Sequence, residues 1–364
     1  VTKYKISEIG EVVGGGTPST KYKEYYSTNK DISWITPKDL SGYTKMYISN
    51  GERYITSKGL NNSSAKMLPK DTILISSRAP IGYVAIAQKE LATNQGFKSI
   101  IPDKTKILPE FLYFTMITKK SELENIATGS TFKEVSGKVM KNFEIDVPTI
   151  EKQKKIIDKL IPIVRKIELN NEINTNLSMQ VHVLFQKLIS SSKLKKINIS
   201  ELYDIKYGKT LPKSKLSTSG IKVYGANGLI GYTEQESVIN KPTVTITSRG
   251  SGSGFVSYID EKNIFLTNNL LYLIDKKNVG LSFTYELLKS CKPQQFVTGS
   301  AQPQLTIKNL SQLNINIPDD KKIMDKFIKD TISFEKIIQK NKEENVNLFN
   351  LKEILLNKYF NLLN

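Results

Sequence analysis

Histidine and cysteine are nearly missing from this sequence: His182 and Cys291 are the single examples among 364 residues. That scarcity all but excludes a disulfide framework, a structural zinc site and any Cys–His or Ser–His nucleophile system. No apolar run suggests a secretory leader or a membrane span, and there is no low-complexity tract, so the chain is expected in the cytoplasm. Enzyme signatures are also missing. There is no GxxxxGK[ST] phosphate loop, no HExxH, no metal-spaced His/Cys/Asp cluster and no Asn/Asp-Pro-Pro-aromatic motif of the kind amino-methyltransferases use. The glycine-rich Gly250-Ser-Gly-Ser-Gly-Phe255 leads into strand-like Val256-Ser-Tyr-Ile259, whereas a cofactor-cradling loop opens a helix. Asp260-Glu-Lys262 is too sparse for a nuclease, and His182 lies within a helical stripe.

What is present is charge and repetition. The formal net charge is +18, which points to a polyanion or, equally, to a lysine-rich solvated surface. By segment it is +6 for residues 1–148, +4 for 149–193, +7 for 194–318 and +1 for 319–364. The length suits about two domains. Residues 127–156 recur at 297–327: with an offset of 170, Thr128-Gly129-Ser130 falls on Thr298-Gly299-Ser300, and Phe143-x-Ile145-x-Val147-Pro148 on Leu313-x-Ile315-x-Ile317-Pro318. The openings match too, Ile6-Ser-Glu-Ile-Gly-Glu-Val12 with Ile199-Ser-Glu-Leu-Tyr-Asp-Ile205. The chain therefore reads as a tandem duplication whose frame repeats and whose interior diverges. Each domain, 1–148 and 194–318, is a mixed, strand-rich module, the first with a docked core helix after Pro109.

Each domain leads into a long helix, 149–193 and 319–364. In the first, Ile156/Ile157, Leu160, Ile163/Val164, Ile167, Ile173, Leu177, Val181, Leu184 and Leu188 recur at spacings of three and four. Roughly 40 residues at ~1.5 Å each make a rod of about 60 Å, and Pro162 is placed to bend its start. The stripe turns polar at Asn170, Asn171 and Asn174, and Asn341 and Asn345 repeat the step in the second helix. Such asparagines either fix the register of a buried coiled-coil seam or face solvent. Matched stripes predict that the helices pair, antiparallel if the domains lie at opposite ends.

Arginine is as scarce as lysine is common: Arg53, Arg78, Arg165 and Arg249 are four of 53 basic residues. Two of these correspond, in Ile75-Ser-Ser-Arg78-Ala-Pro and Ile246-Thr-Ser-Arg249-Gly-Ser, each after a strand and before a glycine-bearing loop. A planar donor fork suits phosphate or the O6/N7 edge of guanine; the alternative is pairing with a carboxylate to hold a hairpin. The Thr-Gly-Ser turns, followed by Lys133 or by Gln302 and Gln304, either present donors to phosphates or are plain connections.

With these residues in view, the whole chain resembles the specificity subunit of type I restriction-modification systems. The resemblance is carried by Gly16-Thr-Pro18, Trp34-Ile-Thr-Pro-Lys-Asp-Leu40, Tyr54-Ile-Thr-x-x-Gly-Leu60, Ser76-Ser-Arg-Ala-Pro-Ile-Gly82 and Thr93-Asn-Gln-Gly96 in the first half. In the second it is carried by Val223-Tyr-Gly-Ala-Asn-Gly228, Ile230-Gly-Tyr232 and Thr267-Asn-Asn269, and the junction Val147-Pro-Thr-Ile-Glu-x-Gln153 is also similar. Ile317-Pro-Asp-Asp-Lys321 departs from it, lacking the glutamate and glutamine of that junction. The resemblance implies an α+β fold: two β-rich target-recognition domains in tandem, each followed by a long helix, the helices pairing as an antiparallel coiled coil with pseudo-two-fold symmetry. It implies a non-catalytic subunit in which each domain reads half of an asymmetric, bipartite target in double-stranded DNA while the helices set the spacer. Two methyltransferase subunits would supply S-adenosylmethionine, two restriction subunits able to join would use ATP and Mg, and no cofactor or metal would sit in this chain. Arg78 and Arg249 are the expected DNA contacts, supported by Thr17, Lys21, Lys38, Lys133, Lys209, Lys213 and Gln302; Trp34 either stacks at DNA or belongs to the core. A type IIB-like specificity subunit, a coiled-coil scaffold for proteins and a self-contained enzyme are the alternatives.

Overall fold

The computed structural model describes residues 1–78, 80–129 and 133–360. Compactness divides the chain into Val1–Asn170 with Glu344–Asn364, and Asn171–Glu343. Each unit holds one mixed α+β domain and part of both long helices.

In the first unit the sheet comprises β1 (Gly10–Gly14), β2 (Tyr47–Ile48), β3 (Ile73–Ser77), β4 (Ile81–Ala87) and β5 (Lys98–Pro102), in the order β1-β5-β3-β4-β2. All neighbours are antiparallel except β2, which runs parallel to β4. Every residue of β3 is buried, as its unbroken apolar run from Ile73 to Ile75 requires of a strand covered on both faces. Helix α1 (Pro109–Thr118) begins at a proline, which suits the first helical turn, and covers the sheet with Phe111, Leu112, Phe114 and Met116. Strand Thr2–Lys5 pairs with Glu144–Val147, so the domain is closed where its chain enters and leaves. From there α2 (Ile150–Ser191) runs unbroken through Pro162.

The second unit repeats this frame. Strand Leu194–Asn198 pairs with Asn314–Pro318, and β6 (Tyr203–Tyr207), β7 (Thr243–Thr247), β8 (Val256–Ile259) and β9 (Leu270–Asp275) form a sheet in the order β6-β9-β7-β8. These correspond to β1, β3, β4 and β5; β2 has no counterpart among the described residues. Helix α3 (Leu281–Cys291) takes the place of α1, and α4 (Lys321–Phe360) follows.

Within each unit α2 and α4 pair antiparallel. In the first, Lys159 Nζ lies 3.0 Å from Tyr359 Oη, Lys166 3.2 Å from Glu344, and Asn170 Nδ2 donates to Glu344 at 2.8 Å and Asn345 at 2.9 Å. In the second, Asn341 Nδ2 donates to Asn174 Oδ1 at 2.9 Å. Asn170 is fully buried and Asn174 nearly so, which settles their alternatives in favour of a hydrogen-bonded seam. Asn171 is exposed. Ile173, expected in the stripe, is 43% exposed; the stripe shifts to Asn174 because the seam there is polar.

Candidate nucleic-acid interface

Four loops meet at one place in each unit. In the first, Ser77 ends β3, and its N–H and Oγ both donate to Gly96 O, at 2.7 and 3.1 Å. Its carbonyl accepts from Val135 N–H at 2.9 Å. Arg78 follows, half-buried and bridged through its backbone to Glu134. Thr128 and Glu134 exchange backbone hydrogen bonds of 3.1 and 2.9 Å, which closes the loop holding Thr128-Gly129 and Lys133 beside Arg78. Gly129 has φ 127°, a conformation side chains disfavour. Ser130 of this turn and Ala79 of the arginine loop lie outside the described residues.

The second unit builds the same knot. Ser248 N–H donates to Asn269 O at 2.8 Å and its Oγ to Leu305 O at 2.9 Å, while Leu305 N–H returns to Ser248 O at 2.7 Å. Thr298 and Gln304 exchange bonds of 2.9 and 2.8 Å, and Arg249 is bridged to Gln304. Ser253 Oγ sits against the carbonyls of Gly250 and Pro303, at 2.7 and 2.9 Å, tying the glycine-rich loop to the Thr-Gly-Ser loop. That loop is therefore a strand-to-strand connection that carries Arg249.

The opening glycines bring the remaining two loops together. A Cβ on Gly15 would lie 1.8 Å from Asn94 O, and one on Gly208 2.3 Å from Thr267 O, so neither position has room for a side chain. This contact sets Thr17 Oγ1 against Gln95 Oε1, and in the second unit it sets Lys209 O against Asn268 N–H at 3.0 Å, with Asn268 Nδ2 3.2 Å from Thr210 Oγ1. Thr93 and Thr267, at corresponding points, bury hydroxyls that find no hydrogen-bond partner among the described residues. Trp34 is 2% exposed and donates its indole N–H to Gly16 O at 2.9 Å. It belongs to the core and fixes the Thr17 loop from beneath, while Arg53 stacks on its ring at 5.1 Å.

The structure thus gathers Arg78, Thr17 and Lys133 in one unit, and Arg249, Lys209 and Gln302 in the other. Arg249, Thr17, Lys133, Lys209 and Gln302 are exposed, and neither Arg78 nor Arg249 has an ion-pair partner among the described residues. Lys38 lies in the turn Pro37–Leu40, which abuts Gly96, and is paired with Glu52 at 2.8 Å; that hydrogen bond raises its pKa. Lys21 and Lys213 are exposed. Sequence reasoning passed over Gln95 and Asn268 as site residues; the doubled Thr-Asn of Thr93-Asn94 and Thr267-Asn268 was the available signal. His182, assigned to a helical stripe, lies there and pairs with the buried Glu286 at 2.7 Å. Among the described residues no three His, Cys, Asp or Glu side chains gather as a metal site, and no helix is long and apolar enough to cross a membrane.

Such a site offers a guanidinium, amides, hydroxyls and backbone N–H groups on a rigid base, which is equipment for binding. The family model for the type I restriction modification DNA specificity domain matches residues 1–179 and again 191–347. The chain is 54% identical over 154 residues to the specificity subunit of the type I restriction enzyme MjaIX of Methanocaldococcus jannaschii, a match spanning 42% of this chain and 35% of that protein. It is 32% identical over 161 residues to the EcoR124I/EcoR124II specificity subunit of Escherichia coli, spanning 43% of this chain and 39% of that protein. The matched stretches thus cover little more than a third of those relatives' lengths. Its fold is that of the crystal structure of a type I restriction-modification S subunit from M. genitalium, with a TM-score of 0.67 at 19% identity over 99% of this chain and 96% of that one. Two tandem matches over most of its length place the chain in the family of type I restriction-modification DNA specificity subunits.

Proposed function

We propose that the chain is the non-catalytic DNA-reading subunit of a type I restriction-modification complex, and that each unit's arginine loop reads one half of an asymmetric, bipartite target in double-stranded DNA. The observation that carries this reading is the recurrence of one knot, an arginine without an ion-pair partner among the described residues beside a backbone pairing of Thr128 with Glu134 or of Thr298 with Gln304, in two units whose remaining sequence has diverged. A common frame with different surroundings suits two readers of different sequence. Arg78 and Arg249 contact base edges or phosphates, and Thr17, Lys21, Lys38, Lys133, Lys209, Lys213 and Gln302 support them, the lysines by phosphate attraction. Residues 1–148 and 194–318 are the readers. The helices 149–193 and 319–364 act as the ruler, since a rigid rod of fixed length sets the spacer between half-sites.

Two methyltransferase subunits, which bring S-adenosylmethionine, dock on the helices and domains; restriction subunits using ATP and Mg join for cleavage. The complex works in the cytoplasm, on chromosomal or incoming DNA. Methylome sequencing tests the reading, in a host expressing this chain with its methyltransferase against a host with the methyltransferase alone. A bipartite, asymmetric methyladenine motif seen only with this chain is the expected result. An assembled complex that adds no motif would contradict it and favour a protein scaffold.

A further inference from the structure

The two units differ at one edge of their sheets. In the first, residues 46–48 run along β4 and are held there. Ile86 N–H donates to Met46 O and Gln88 N–H to Ile48 O, both at 2.9 Å, while Met46 N–H donates to Glu168 Oε1 at 2.7 Å. Met46 is 2% exposed and sits in the core with Tyr113 and Phe114. Tyr47 Oη donates to Glu110 at 2.7 Å.

By register, β8 stands for β4: Ile86 opposes Ile73 and Tyr258 opposes Val244. Likewise Phe111, Tyr113 and Phe114 of α1 correspond to Phe283, Tyr285 and Glu286 of α3. No strand lies outside β8 among the described residues. Thr247 N–H donates to Phe255 O at 2.9 Å, so by the alternation of an antiparallel ladder the N–H groups of Val256 and Tyr258 point to the open edge. Where Met46 and its neighbours would lie there is instead a groove of about 1100 Å³, lined by Tyr258, Leu281, Tyr285, Met179, Val183 and Ile332. Met179 and Val183 are 63% and 64% exposed.

We propose that this groove docks an extended segment of a partner polypeptide, which adds as a parallel strand along β8 and buries one long apolar side chain, Met or Leu, against Tyr258 and Tyr285. The first unit supplies the template: the same frame, with the same edge and the same helix, is complete only when such a segment fills it. Added strands gain affinity from main-chain hydrogen bonds and specificity from pockets for alternate side chains. The occupant is not a second copy's residues 46–48, because those are locked into their own sheet. Nor is it nucleic acid: the lining is mainly apolar, and its charges are of both signs, with Lys342 bonded to Asp260 and His182 to Glu286. The proposal stands apart from DNA reading.

A fluorescein-labelled peptide of residues 41–50, titrated with the full-length chain and followed by anisotropy, tests it. Saturable binding is expected, weakened at least about tenfold by Met46→Asp in the peptide and, separately, by Val183→Arg in the chain; Val183 is exposed, so that variant keeps its fold. Slower hydrogen exchange at the Tyr258 amide on peptide addition is the second expected sign. No saturation, or binding indifferent to Val183→Arg, overturns the proposal. So does self-association of the chain alone that Val183→Arg abolishes, which would make the occupant a second copy.

Discussion

The first unit covers the outer side of β4 with residues 46–48, whereas β8, its counterpart in the second unit, is the last strand of its sheet among the described residues. Gln153, fully buried, likewise binds the first domain to its helix through three hydrogen bonds: to Pro148 O at 2.8 Å, to Lys106 O at 2.9 Å and from Leu108 N–H at 2.8 Å. In the second unit the sheet ends at β8, and Ile323, which occupies the place of Gln153, is 38% exposed. The arginine knots, by contrast, are built alike in both. Features that recur serve what the two halves share; features confined to one half belong to the stability or the partners of that half.

The largest test of this contrast is Met46→Ala. Deleting a fully buried methionine should cost about 2–5 kcal/mol of stability, measured by denaturant unfolding of the full chain. Met179→Ala, at the open groove, should stay within about 0.5 kcal/mol. Equal losses would mean that the groove is already filled. Next comes Gln153→Ala, which strands two carbonyls and an amide and should cost roughly 1–3 kcal/mol, against no more than about 0.5 kcal/mol for Ile323→Ala. If both junction variants melt alike, the junction asymmetry is not energetic. Smaller still, Gln95→Ala and Asn268→Ala should each weaken DNA binding by about 0.5–1.5 kcal/mol without moving the melting temperature, because their loops are held by backbone bonds; a drop in melting temperature would make them structural.

The duplication and the helices were legible because they are local patterns. The offset of 170 and spacings of three and four predict paired helices, and α2 and α4 run as Ile150–Ser191 and Lys321–Phe360. Corresponding arginines were legible for the same reason. What the sequence hid is non-local. Nothing around residues 46–48 announces that they fill an edge left bare in the other half, since that is a statement about β8, some 210 residues away. Gln95 and Asn268 acquire their place only when Gly15 and Gly208 bring the opening loops onto them. A lone Trp in a mixed domain is more often core than a DNA wedge, and Trp34 is core, 2% exposed with its N–H on Gly16 O. Ile173 fitted the apolar period, but the buried asparagines beside it set the seam.

The most direct test of the account is a binding matrix. Arg78→Ala, Arg249→Ala and the unaltered protein, each in complex with the methyltransferase, are titrated against the full target and against targets with one half-site scrambled. Each variant should lose roughly 1–3 kcal/mol on the full target, and scrambling one half-site should then cost Arg78→Ala little while scrambling the other costs it as much as it costs the unaltered protein, with Arg249→Ala showing the reverse. Losses that are uniform over all DNA sequences, or the same half-site preference for both variants, would contradict the assignment of one reader to each unit.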